Sequence, residues 1–326
     1  MYRRPFHSCA QALLAGLIGC LAATQAAAQF PNKPIRFVVP YSPGGALDAS
    51  LRMAGEHMSA SLGQPVLLEH KPGGATTIAA VAVAQAPADG YSIFVNAISF
   101  VTNTLLMPKL PYDPAKDFVP VTLATSNPHV LVSFPGVGAK TLPEFLATAR
   151  AKGKAMSFAS VGSGSSSHLA FELFKKAYSF DMLHVPYKGA PQAALDVVSG
   201  QVHAMLIDLP VVSGQVKGGK LAGLAIAADR RSGALPDVAT FAESGGPAFL
   251  SRSWFGMLVR SGTPPEIVQL LHQEIAKAYS RPDVKDKLAG LGTDVIVSTP
   301  AEFGAFMRSE SDRFAEAIRI SGTKLE

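Results

Sequence analysis

The sequence predicts an α/β protein in two lobes, each a mostly parallel sheet flanked by helices. Three observations carry this. Short apolar runs alternate with helical patterns almost throughout, the signature of strands covered by helices. Two turns rich in glycine and serine each join a strand-like run to a helix, Ser42 to Asp48 early and Ser163 to His168 in mid-chain. Two extended apolar segments, Asn127 to Pro135 and Ser253 to Val259, are placed to carry the chain from one lobe to the other and back.

Taken in order, the expected strands are 35–39, 66–69, 92–95, 119–123, 130–133, 156–159, 182–185, 204–207, 224–227 and 255–259, each a short run rich in β-branched or other apolar residues. Helical stretches lie between them, at 47–62, 142–152, 169–177, 191–199 and 267–279, where apolar residues recur every three or four positions. Thr263-Pro264-Pro265-Glu266 starts the last of these well, a cap residue followed by prolines at the first turn. The two crossings divide the chain into residues 30–129 with 258–326 as lobe one and 130–257 as lobe two.

In such a fold ligands bind beyond the carboxyl ends of the strands, and both Gly/Ser turns follow a strand. A serine- and glycine-rich turn opening a helix aims backbone N–H groups, hydroxyls and the positive end of the helix dipole at one spot, which suits an anion. One such turn is common in α/β proteins. Two in separate halves point to an anion held between lobes.

The N-terminus reads as an export leader over residues 1–28. Arg3 and Arg4 form a basic start, Ala10 to Cys20 an apolar centre, and Ala26-Ala27-Ala28 a cleavage site before Gln29. Leu17-Ile18-Gly19-Cys20 offers a lipoprotein alternative, with Cys20 as the lipidated first residue. Both cysteines, Cys9 and Cys20, fall in this segment, so after cleavage at Ala28 thiol catalysis and thiolate metal sites are excluded and no disulfide holds the fold. With 48% hydrophobic and only 16% charged residues, the chain holds itself together by apolar burial. The formal net charge is +5, of which Arg3 and Arg4 take two units with the leader. Basic residues are not clustered with aromatics, so nucleic acid is not an expected partner.

A set of motifs runs through the mature chain. Tyr41-Ser-Pro-Gly-Gly-x-x-Asp48-x-x-x-Arg52, Gly162-Ser-Gly-Ser-x-x-His168-Leu-Ala-x-Glu172 and His184-Val-Pro-Tyr-Lys-Gly189 are joined by Pro111-Tyr-Asp-Pro114, Gly200-Gln-Val202, Ala228-Asp-Arg-Arg231, Leu235-Pro-Asp-Val238 and Gly262-Thr-Pro264. In this order they resemble the tripartite tricarboxylate transporter receptor family, also called Bug proteins. These are two-lobed, type II-like periplasmic solute-binding proteins. The resemblance implies transport without catalysis: the lobes close on a small carboxylate and deliver it to a membrane permease. It also implies that Ser42 to Asp48 and Ser163 to His168 face the ligand, with backbone donors and bridging waters on its carboxylates. Asp208, after the strand 204–207, matches a position that often faces the cleft. This chain departs from the pattern at Glu69-His70-Lys71-Pro72-Gly73-Gly74-Ala75-Thr76, where many relatives have Asn and a longer glycine-rich turn, so its cleft rim and ligand are expected to differ.

The ligand-binding candidates are therefore Ser42, Gly44, Gly45, Asp48, Ser163, Gly164, Ser165, Ser166, His168 and Asp208. Each has a plainer role beside the functional one. Asp48 suits the first turn of a helix whatever it binds, and Gly44 and Gly45 serve a tight turn as readily as a close ligand approach. Ser163, Ser165 and Ser166 fit helix capping as well as anion contact. His168 reads as an orienting or packing residue. Asp208 reads as a helix cap, or as a carboxylate that repels a plain diacid and holds an ammonium. Tyr187 and Lys188 brace a turn. His70, His184 and His203 lack metal-ligand spacing, so no metal is expected, and no cofactor.

Enzyme readings fail on spacing: the Gly-x-Ser-x-Gly elbow is absent, Gly136 to Thr141 lacks the glycine before lysine of a phosphate loop, and Ser321-x-x-Lys324 stands alone at the C-terminus. The expected partners are a small carboxylate and a permease of the tripartite tricarboxylate type, with the receptor a periplasmic monomer. The alternatives are an orphan receptor signalling to a membrane sensor kinase, and a receptor for another small oxyanion such as phosphate or a sulfonate.

Overall fold

The protein is described by a computed structural model, which covers residues 30–44 and 46–321. The leader, Cys9, Cys20 and Gly45 lie outside the described residues. Helices and strands alternate as the apolar periodicity requires. The first half opens with β1 (Ile35–Val39), α1 (Ala46–Leu62), β2 (Val66–His70), α2 (Thr77–Ala84), β3 (Ser92–Asn96) and α3 (Ile98–Leu106). A long strand, β4 (Phe118–Ser133), leads into α4 (Leu142–Lys152), β5 (Ser157–Ser160), α5 (Ser166–Tyr178), β6 (Leu183–Pro186), α6 (Ala190–Val198), β7 (Ala204–Asp208), α7 (Leu209–Lys217) and β8 (Ala222–Ile226). The chain returns through β9 (Arg252–Arg260) to α8 (Pro265–Ser280), α9 (Pro282–Leu291), the short β10 (Asp294–Val295) and α10 (Pro300–Ser321).

Strand pairing sorts these into two half-sheets joined by β4. In the first, β1, β2 and β3 run parallel, β9 runs against β3 and β4, and β4 therefore points the same way as β1 to β3. In the second, β5, β6 and β7 run parallel, and β4 runs against both β7 and β8. Each half is thus mixed rather than wholly parallel, for one reason. Its reversed long strand is the one that enters from the other half: β9 in the first, β4 in the second.

The runs expected at 119–123 and 130–133 are one continuous strand. Pro120 and Pro128 made the sequence read as broken, because proline cannot donate to a ladder. The strand tolerates them with register shifts near Pro120 and by changing partner at Pro128. Pro128 is opposite Arg252 of β9, while the next residue, His129, is opposite Asp208 of β7. Strand pairing also puts the whole of β9 with the first half, so the return crossing falls between Ser251 and Arg252, ahead of the 257/258 division read from the sequence.

Both half-sheets are covered on two faces. In the first half Phe37, Ile93, Leu51 and Tyr279 form one cluster and Phe94, Trp254 and Phe303 another. In the second, Phe145, Phe158, Phe171 and Phe174 pack on one face and Val197, Ile207 and Leu209 on the other. α10 packs against α3 and also against α5, and Leu169 of α5 joins the first-half cluster around Trp254 and Phe303. The halves therefore share apolar contact away from the crossings.

Candidate functional site

A cavity of about 50 Å³, measured as the space open to the centre of a water molecule, lies where the two half-sheets face each other. It sits beyond the carboxyl ends of β1, β3, β5 and β7, where Val39, Ala97, Val161 and Asp208 line it. Five helices open onto it: α1 through Leu47 and Asp48, α3 through Ile98, α5 through Ser166, α6 through Ala190 and Pro191, and α7 through Val211. Each first turn leaves backbone N–H groups without an intrahelical acceptor and carries the positive end of its dipole. Of the four helices whose caps are described, only α5 has a side-chain cap, with Ser165 Oγ accepting from the His168 N–H. Its lining contains no lysine or arginine and two carboxylates, Asp48 and Asp208, so the donors an anion would meet there are neutral ones.

The second-half turn is held rigid by its own hydrogen bonds. Gly162 and Gly164 have φ of 126° and 74°, the left-handed side that side chains disfavour, and they bend the chain from β5 into α5. Ser160 Oγ shares a 2.7 Å hydrogen bond with His184 Nε2 and accepts from the Gly162 N–H at 3.2 Å. The Val161 N–H donates to Ser167 Oγ, and the Gly164 N–H to His168 Nδ1 at 3.0 Å. That bond makes Nδ1 of His168 an acceptor. The His168 ring stacks on His184 with centroids 3.8 Å apart, and His184 and Phe171 stack on Phe158. Burial pushes His168 down to about 3, helped by His184 and Lys175, and pushes His184 down to about 4, helped by Lys175. Both rings are neutral supports of the turn.

The first-half loop is held differently. Gly44 has a φ of 94°. Asp48, 8% exposed, pairs with Arg52 Nε at 2.9 Å one turn along α1. Its other oxygen lies 2.9 Å from His70 Nε2, too oblique for a hydrogen bond, while His70 Nδ1 donates to the Tyr41 carbonyl at 2.9 Å. Burial pushes the Tyr41 phenol up to about 12; Asp208 adds to the rise and a hydrogen bond with Ser99 opposes it, so the hydroxyl keeps its proton. Asp208, also 8% exposed, accepts no hydrogen bond among the described residues and lies 3.2 Å from Nε2 of fully buried His129.

The halves touch across the cavity. Thr102 Oγ1 on α3 donates to the Gly164 carbonyl at 2.8 Å, fully buried. Gly189 lies so close to Ser42 that an added Cβ would stand 3.2 Å from the Ser42 Cβ.

Of the candidates read from the sequence, the structure brings Ser42, Asp48, Ser166 and Asp208 to the cavity wall. Ser163, Gly164, Ser165 and His168 build the turn behind it, and Gly44 shapes the loop without lining the cavity. Asp208 stands at the N-cap of α7 but makes no capping hydrogen bond, so the cap reading is set aside. Sequence reasoning missed Tyr41, His70, Ala97 and Phe255 as wall residues. His70 and Ala97 were within reach, because they end or follow β2 and β3 at the same edge as the two turns. Among the described residues no group of three or more His, Cys, Asp or Glu is placed to hold a metal ion.

The tripartite tricarboxylate transporter family receptor model matches residues 50–322. Protein BugT of Bordetella pertussis (strain Tohama I) is 33% identical over 308 residues, covering 94% of both chains. Among solved structures, Rpa4515 of R. palustris with adipate superposes with a TM-score of 0.88 at 28% identity, covering 91% of this chain and all (100%) of that one. MatC from Rhodopseudomonas palustris with bound malate gives a TM-score of 0.83 at 31% identity, covering 89% of this chain and 100% of its own.

Proposed function

This chain belongs to the tripartite tricarboxylate transporter receptor family of periplasmic solute-binding proteins, and on that premise we propose that it captures a small carboxylate between its half-sheets for delivery to a membrane permease. The family and its structural neighbours are binding proteins, not enzymes. The observation that carries the ligand class is the ring of five helix N-termini around one cavity with no lysine or arginine on its wall. Desolvating a carboxylate is costly unless its water is replaced, and charge-assisted bonds from fixed N–H groups do this. Relatives with adipate and malate bound agree with that class.

In this reading the ligand contacts are Ser42, Asp48, Ser166 and Asp208, and the other predicted residues of both turns position them. The lobes are the two half-sheets, and the hinge is the pair of crossings at Pro128/His129 and Ser251/Arg252. An acid touching both halves favours the closed arrangement by its differential affinity. Among the described residues no helix is long and apolar enough to cross a membrane. Export through the leader at 1–28 belongs to the same reading, and N-terminal sequencing of the mature protein distinguishes Gln29 from a lipidated Cys20 as its first residue.

The test is calorimetry with protein refolded free of copurified ligand against a broad carboxylate panel, with phosphate and methanesulfonate as competitors. A 1:1 complex with an acid of the panel is the expected result. Binding by none of them, or by the oxyanions in preference, overturns the carboxylate reading.

A further inference from the structure

We infer that the cavity selects carboxylates that also carry a hydrogen-bond donor, a hydroxyl or an ammonium, over the plain acid of the same skeleton. This rests on the carboxylate reading above and deepens it. The wall that offers so many N–H groups also holds two carboxylates, one from each half, and no lysine or arginine. Asp48 and Asp208 are each only 8% exposed. One oxygen of Asp48 is occupied by Arg52 at 2.9 Å, while its Oδ1 accepts no hydrogen bond. Asp208 accepts none at all among the described residues.

A histidine stands behind each aspartate without satisfying it. His70 is fixed through Nδ1 to the Tyr41 carbonyl, and His129 through Nδ1 to Ser251 Oγ at 2.8 Å. Their Nε2 atoms lie 2.9 and 3.2 Å from Asp48 Oδ1 and Asp208 Oδ1, yet neither ring nitrogen makes an aligned hydrogen bond. Asp48 Oδ1 is enclosed against His70, so the unpaired acceptor that faces the cavity belongs to Asp208.

A buried acceptor without a donor carries the desolvation penalty of its group, and two carboxylates close together repel. A plain acid seated on the helix N-termini brings negative charge toward Asp48 and Asp208 and gives Asp208 nothing to accept. An acid with an adjacent hydroxyl or ammonium supplies the missing donor, and the ammonium also offsets the charge. Sites built to hydrogen-bond a substrate group discriminate strongly against analogues lacking it.

Matched trios test this by calorimetry on the ligand-free wild-type protein: malate, aspartate and succinate; lactate, alanine and propionate; mandelate, phenylglycine and phenylacetate. In a trio that binds, a donor-bearing acid is expected to be at least about tenfold tighter than its plain counterpart, which is about 1.4 kcal/mol. Asp208→Asn should weaken the donor-bearing acid and leave or strengthen the plain one. Within each trio, the hydroxy and amino members report which donor is preferred. A plain acid binding as tightly as its donor-bearing partners overturns the inference, as does a preference unchanged in the Asn variant, while the carboxylate reading survives. Binding by none of the nine acids overturns the inference, and failure across the whole carboxylate panel overturns both. The wild-type comparison decides even where a variant fails to fold.

Discussion

The two Gly/Ser turns look alike in sequence and are built on different principles. The second-half turn is tied mostly within its own half: Ser160, Ser165, Ser167, His168 and His184 bond to one another and to the backbone, over a stack of phenylalanines. The first-half loop has fewer such bonds. Asp48 leans on Arg52, His70 holds the Tyr41 carbonyl, and Gly189 of the other half lies close against Ser42. One side is a dense hydrogen-bonded cradle and the other is held by a few separate contacts.

The comparison breaks most sharply at Phe158. It is fully buried, stacks on Phe171 at 3.9 Å and supports His184. Phe158→Ala should cost about 3–5 kcal/mol of stability in urea unfolding, through the cavity it leaves.

Acid sharpens the comparison next. The unfolded rings of His168 and His184 take up protons near their ordinary value of 6.5, whereas the folded rings resist until about 3 and about 4. Stability is therefore full above pH 6.5 and is lost as pH falls from there toward the folded values, at up to about 1.4 kcal/mol per pH unit for each group. Melting temperature measured from pH 7 to 4 should show this fall, and His168→Gln, which keeps an acceptor for the Gly164 N–H, should flatten it.

Thr102→Val asks whether the cradle and the first half depend on each other. It leaves the buried Gly164 carbonyl without its donor. A loss of about 1–3 kcal/mol is expected in stability by urea unfolding. The smallest effect belongs to the first-half loop. Arg52→Ala removes an ion pair whose arginine is 58% exposed, and thermal melting should record about 0.3–0.5 kcal/mol or less.

Much of the fold was legible because it is written locally. The helices at 142–152 and 191–199 were found within a residue of their ends, since proline at the first turn and the apolar stripe both lie inside the segment. β4 was misread at its prolines, because the pairing that carries the strand past them comes from β9, more than a hundred residues away. The helices α2, α3, α7, α9 and α10 were not among the expected stretches. α2 is almost wholly apolar and shows no polar face for periodicity to reveal, while the polar stripe of α3, Ser99, Thr102 and Asn103, is itself buried. Within the site, the serines, glycines and Asp48 were visible by turn chemistry, whereas His129 carried no local signal and became meaningful only opposite Asp208.

The sequence by itself determined the alternation of strands and helices, the two turns and the family to which their order belongs. Backbone preference and hydrophobic period act over a few residues and need no partner. Only the tertiary structure decided that Asp48 and Asp208 share one wall, each backed by a histidine, and that Thr102 reaches Gly164. Those relations join segments far apart in the chain, and they exist because burying the apolar faces of both half-sheets fixes where the strand ends meet.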